Sequence, residues 1–169
     1  VVYGIERMGY ADYLPKSVEK CKSKAIYDYV QRDEALKHIT SAYNSVDIEY
    51  MWLKGAVLRN LYPFPWMRTS SDIDILVREE KVEAASKALL ENTSFQAYSR
   101  GFRDMHFINK HVHLELHFNL LDDVKRIDDV LALAWEYAIP SGIGKEFVMR
   151  PEYHIFYITA HACKHFISR

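Results

Sequence analysis

Ser71-Asp-Ile-Asp-Ile-Leu-Val77 is the stretch whose reading decides the fold. In an extended chain, residues two apart project to the same face, ~6–7 Å from each other at about 3.3 Å per residue. Asp72 and Asp74 therefore share one face, while Ile73, Ile75 and Val77 share the other and turn to a core. Two carboxylates side by side at the start of an apolar strand repel each other. A divalent cation is the usual means of offsetting that repulsion. The competing reading is a strand end whose acids are simply solvated. On the metal reading, Asp74→Asn is expected to abolish metal-dependent function and, by relieving the repulsion, to leave the fold intact or slightly more stable.

A later stretch shifts the balance. Val112 to Phe118 alternates strictly, with Val112, Leu114, Leu116 and Phe118 on one face and His113, Glu115 and His117 on the other. Glu115 is thus placed to complete a three-carboxylate cluster with Asp72 and Asp74. Three carboxylates are the equipment of a two-metal phosphoryl-transfer site, where ions about 3.5–4 Å apart stabilise the attacking and leaving oxygens. The bland alternative is a sheet face open to water. Upstream, Ile48 to Leu53 is an aromatic, apolar run that suits a strand buried on both faces. Lys54-Gly55 ends it, and one or two helical turns follow over Ala56 to Leu61. A strand that passes through glycine into a helix leaves backbone N–H groups for phosphate oxygens, and a side chain at Gly55 would be strained if φ is positive.

Around these pieces the chain reads as a mixed sheet with helices on it. Residues 1–45 form a helical segment, with turns at Gly9 and Pro15 and a long helix from Ser17 to Tyr43. Residues 46–125 form the core, with strands at 48–53, 72–77, 95–98, 105–108 and 112–118 and an amphipathic helix over 78–92. Residues 126–169 are again helical, with helices at 127–137 and from Pro151 onward and a short extended piece at 147–149. The fold class is α/β (α+β), a sheet of about five strands flanked by helices. The chain begins at Val1 and stops at Arg169 inside a helical pattern, which reads as a piece of something longer.

Composition excludes several classes. At 169 residues, with 49% hydrophobic and 27% charged residues, the chain buries a single core and is not disordered. A net charge of −1 does not favour nucleic acid as a partner. Cys21 and Cys163 alone make neither a disulfide scaffold nor a Cys-rich zinc site. Apolar runs fall far short of the roughly 20 residues of a membrane span. No leader opens the chain, so the expected setting is a reducing cytoplasm.

At this point the sequence resembles a family. Leu53-Lys-Gly-Ala-Val-Leu58, Tyr62-Pro63, Pro65, Arg68 and Ser71 to Val77 are similar to the nucleotidyltransferase superfamily typified by DNA polymerase beta. So are Val112 to His117 and the segment from Pro151 to His165. The nearest likeness is to poorly characterised bacterial nucleotidyltransferases often encoded near polysaccharide-synthesis genes. The resemblance implies a palm-like sheet in which Asp72, Asp74 and Glu115 hold two Mg²⁺ ions, or Mn²⁺ in their place. It places Gly55 and Ala56 at a phosphate turn, with Lys54, Arg68 and Ser71 beside the triphosphate. An NTP would lose pyrophosphate as its NMP group moves to an unidentified acceptor: a small molecule, a saccharide or a protein. Ala56 departs from the usual Gly or Ser, and the insert Tyr62 to Trp66 lengthens the gap to Asp72. A non-catalytic nucleotide-binding or antitoxin-like module on the same fold is the alternative.

The remaining basic and aromatic groups have no single reading. Arg68, in a polar loop with Thr69, Ser70 and Ser71, is the best triphosphate contact. Arg59 also flanks the site, and Lys54 is expected to pair with a carboxylate of the cluster. His154, His161 and His165 share one face of the last helix, a pattern open to zinc hydrolase chemistry. Packing or substrate contact is favoured for them, because no metalloprotease-type Glu accompanies the pair. His113 and His117 flank Glu115. Tyr10, Tyr13, Tyr27, Tyr29 and Tyr43 are read as core and helix-packing material.

Overall fold

The computed structural model describes residues 2–10, 15–120 and 125–167; the side chain of His165 and the whole of Tyr13 lie outside what is described. Its strands are β1 (Tyr50–Trp52), β2 (Asp72–Val77), β3 (Gln96–Arg100), β4 (Asp104–Ile108), β5 (His113–His117), β6 (Ala138–Pro140) and β7 (Glu146–Met149). They form one mixed sheet in the order β3-β4-β5-β2-β1-β7-β6. β2 runs parallel to β5 and antiparallel to β1, while β7 adds to β1 in parallel.

The helices are α1 (Val2–Arg7), α2 (Lys16–Ser45), α3 (Lys54–Leu58), α4 (Val82–Asn92), α5 (Lys125–Leu131) and α6 (Pro151–Ile167). Period-2 alternation decides which face each strand side chain takes. Ile73, Ile75, Val77, Leu114 and Leu116 point to one face, where they meet Leu36, Ile39 and Tyr43 of α2 and Ala85 and Leu89 of α4. On the other face Met51, Leu53 and Leu76 pack with Leu131, Met149, Tyr153 and Tyr157, beneath α5 and α6. Asp72 and Asp74 lie on this second face, in register with Leu76.

The sheet has seven strands, not about five. β6 is three residues ending in proline, which confines it to an edge, and it is too short to show alternation. The helix expected over 127–137 stops at Leu131. Beyond it the Tyr137 ring stacks on Tyr153 at 5.2 Å and the Tyr137 carbonyl accepts from the Arg150 N–H. These contacts turn the chain into β6. β1 is shorter than its apolar run because the Ile48 N–H is held by the Tyr43 carbonyl at the end of α2. Of the tyrosines assigned to packing, Tyr43 is fully buried, whereas Tyr10 and Tyr27 are exposed.

Leu114 is fully buried on the sheet face covered by α2 and α4. Leu114→Ala should cost about 2–5 kcal/mol of unfolding free energy, the range for a buried leucine whose cavity only partly collapses. Urea denaturation followed by circular dichroism reads the loss directly.

Candidate functional site

The parallel pairing of β2 with β5 places Asp74 opposite Glu115 and Asp72 opposite His113. β4 pairs with β5 from the other side and puts His106 opposite Glu115. One row across three strands is therefore His106, Glu115, Asp74. Antiparallel β1 ends beside the start of β2, where the Leu53 N–H bonds the Asp74 carbonyl at 3.0 Å. The next residue, Lys54, is thereby carried to the row.

Asp74 is 2% exposed, and its charge is matched at close range. Lys54 Nζ donates to Asp74 Oδ1 at 2.6 Å, and His117 Nε2 lies 3.2 Å from the same oxygen. His117 Nε2 is also 3.4 Å from Glu115 Oε2. Burial alone would raise the Asp74 carboxyl, but the His117 and Lys54 contacts outweigh it and hold it at about 2. The His117 bond likewise keeps Glu115 below the usual range against its burial. His117 is pushed down by burial, yet its bonds to Asp74 and Glu115 prevail and raise it. The expected pairing of Lys54 with a carboxylate of the cluster is present.

Asp74, Glu115 and His117 each offer a ligand atom, all within 4.8 Å of one another. Asp72 does not join this group. It sits two residues up the strand, level with His113, and lines cavities on either side of the cluster. One, of about 260 Å³, lies between Lys54, Asp72, Glu115 and His117 and is bordered by Arg103, Tyr157, His161 and Lys164. The other, of about 300 Å³, is lined by Lys54, Gly55, Arg68, Ser70, Asp72, Asp74 and His161.

The glycine turn differs from expectation in its strain. The left-handed residue is Lys54, at φ 40°, and not Gly55. Gly55 lets the loop before β2 pass close over the turn: a Cβ there would stand 3.0 Å from Ser70 Cβ and 3.9 Å from Arg68 Nη1, so Ser70 would have to give by a few tenths of an ångström. Arg32 of α2 fastens that loop by donating to the Ser70 carbonyl. Arg68 thus reaches the turn, and Ala56 borders a narrow crevice with it. Ser70 lines the cavity, whereas Ser71 is exposed and does not. Arg59 turns away to Asp33, 3.0 Å distant, and lies over the Tyr29 ring.

On α6, His161 borders both cavities. His154 does not, and burial pushes its pKa down. Among the described residues no group of three metal-ligating side chains includes His154 or His161. Arg103, Tyr157 and Lys164 were not legible as site residues, because they come from a hairpin and a helix that only the fold brings together. Asp104 and His106 carried a signal, the alternation of Met105 and Phe107 with polar residues, which places both on the Glu115 face.

The family model described as uncharacterised nucleotidyltransferase matches residues 1–169. No curated protein matches the chain. Among solved structures the chain is similar to the antibiotic-resistance factor ANT(2'')-Ia, at 12% identity over 79% of this chain and 84% of that one, with a TM-score of 0.47. No described helix is long and apolar enough to cross a membrane.

The buried pairing reverses the expectation that Asp74→Asn leaves the fold unharmed or firmer. Removing the anion leaves the Lys54 ammonium without the carboxylate it donates to at 2.6 Å. The depressed Asp74 contributes stability that is present above its unfolded pKa, near 3.8, and is lost as pH falls through about 2. Asp74→Asn should therefore destabilise the metal-free protein at pH 7 by on the order of 2 kcal/mol. The deficit should shrink between pH 4 and pH 2, as urea titrations across that range would record.

Proposed function

The chain belongs to the family of uncharacterised nucleotidyltransferases, and from that premise we propose an Mg²⁺-dependent enzyme that moves the NMP group of an NTP to an acceptor hydroxyl or phosphate. The observation that carries this reading is the register of Asp74 on Glu115, with Lys54 Nζ at 2.6 Å from Asp74. Two buried or half-buried carboxylates that need a cation beside them suit a divalent metal, and their oxygens suit a hard one. Asp74 and Glu115, with Asp72 at the strand mouth, would hold Mg²⁺, and Mn²⁺ fits the same donors. Bound there, the ions would supply charge neutralisation at the attacking and leaving oxygens.

The chain's own groups would do the rest by positioning and electrostatics. Gly55 lets the loop before β2 pack onto the turn, so that Arg68 and Ser70 face the cavity the triphosphate would enter. The Arg68 guanidinium presents a fork to phosphate oxygens. The acceptor would enter the cavity on the β4–β5 side, and its oxygen would attack the α-phosphorus in line with the departing pyrophosphate. His117 lies against both carboxylates, whose contacts raise its pKa, and a metal bound at the same oxygens would work against that rise.

Pyrophosphate release, assayed with each NTP and a panel of acceptors in Mg²⁺, tests the activity. Glu115→Gln should lower turnover on the order of 100-fold while the protein stays folded. Gly55→Val should weaken NTP binding by about tenfold or more and leave Mg²⁺ binding within about twofold, since the carboxylates are untouched. Unchanged NTP affinity in Gly55→Val would remove the phosphate from this turn.

A further inference from the structure

We propose that the same sheet face holds a second metal site of different ligand chemistry, in which His106 Nδ1, His113 Nδ1 and Glu115 Oε1 bind a transition dication of the Zn²⁺ class. This goes beyond the nucleotidyl-transfer reading and does not require it.

The three ligand atoms lie within 4.8 Å of one another. His106 Nδ1 is 3.8 Å and His113 Nδ1 4.0 Å from one oxygen, Glu115 Oε1. Both contacts are too long for hydrogen bonds. Ligands of a tetrahedral zinc, at 2.0–2.1 Å for nitrogen and 2.0–2.2 Å for oxygen, stand roughly 3.3–3.5 Å apart. A closure of about half an ångström brings each imidazole to that spacing from Glu115, and ring rotation closes the remaining gap between the two imidazoles. The two imidazoles are held side by side, with centroids 5.2 Å apart and planes 17° from parallel, so both offer the same edge to Glu115.

A second observation points the same way. His106 Nε2 lies 3.2 Å from Asp104 Oδ1. A ligating histidine gives its other ring N–H to a carboxylate in this fashion, which fixes the tautomer and leaves the facing nitrogen with its lone pair. Asp104 and His106 are two apart on β4, so the strand itself aims both at the same face. Two imidazoles and one carboxylate favour Zn²⁺, Cu²⁺ or Ni²⁺ over Mg²⁺, which takes oxygens. The side chains of His106, His113 and Glu115 are 23%, 32% and 21% exposed, so an ion can enter and still have a fourth position for water. The two sites need not compete for one atom, because Glu115 turns Oε2 to His117 and Oε1 to this pair.

Titrating tag-free protein with Co²⁺, in excess Mg²⁺, tests the proposal. One equivalent should bind with a visible ligand-field band that Zn²⁺ displaces. His106→Ala and His113→Ala should each weaken that binding at least tenfold, and Asp104→Asn about tenfold. A missing band, or one unchanged in both alanine variants, overturns the site. If either alanine variant does not fold, ring ¹⁵N spectra of the wild-type protein decide instead. Zn²⁺ should move the Nδ1 signals of His106 and His113 and leave His106 Nε2 protonated. Unmoved signals overturn the site as firmly.

Discussion

Asp74 cannot be buried by itself. A carboxylate taken out of water costs several kcal/mol after relaxation, and only close cations offset it. Lys54 and His117 supply that charge, and each imposes a constraint on its own strand. Lys54 adopts a left-handed backbone, uncommon for a residue with a side chain, at the point where β1 gives way to α3. His117 must sit on the polar face of β5, which fixes the register of β5 on β2. A slip of one residue would turn His117 and Glu115 into the apolar layer beneath α2 and α4.

The direction of the strands then determines what meets what. Because β1 is antiparallel to β2, its end lies beside the beginning of β2, and the turn that follows is delivered to the aspartates. Because β5 is parallel to β2, its residues climb the same face in step, Asp72 with His113, Asp74 with Glu115, Leu76 with His117. Asp74 thus meets a second acid, Glu115, across the ladder, and Lys54 and His117 supply the positive groups beside the pair. The loop from Arg68 to Ser70 closes over Gly55 so closely that a Cβ there would press on Ser70 at 3.0 Å. Cation, carboxylate and phosphate turn become one unit, and α6 covers it with His161 at the junction of the two cavities.

Where alternation was long and clean, the sequence was a sufficient guide. β2 runs over the residues of its apolar–acidic pattern, and β5 carries the inward leucines and outward His-Glu-His that its alternation implies. The order of elements, the glycine turn and the pairing of Lys54 with a carboxylate were legible for the same reason. β6 and the early end of α5 were not, because a three-residue edge strand has no period and the Tyr137–Tyr153 stack acts between residues far apart in the chain. The sequence also could not rank Asp72 against His117 as neighbours of Asp74. Along a strand Asp72 is nearer in number, yet across the ladder His117 reaches the Asp74 oxygen at 3.2 Å.

The amino-acid sequence by itself determined which residues face the core and which face the site, since the two-residue period of an extended chain sorts them before any strand has a partner. It also determined that the acids at 72, 74 and 115 would lie on polar faces. Only the tertiary structure decided which of those faces coincide, and at what height. Strand order and direction are set by the packing of α2, α4 and α6 on a sheet whose members come from distant parts of the chain. That packing placed His106, Glu115 and Asp74 in one row, and it left Asp72 one step above.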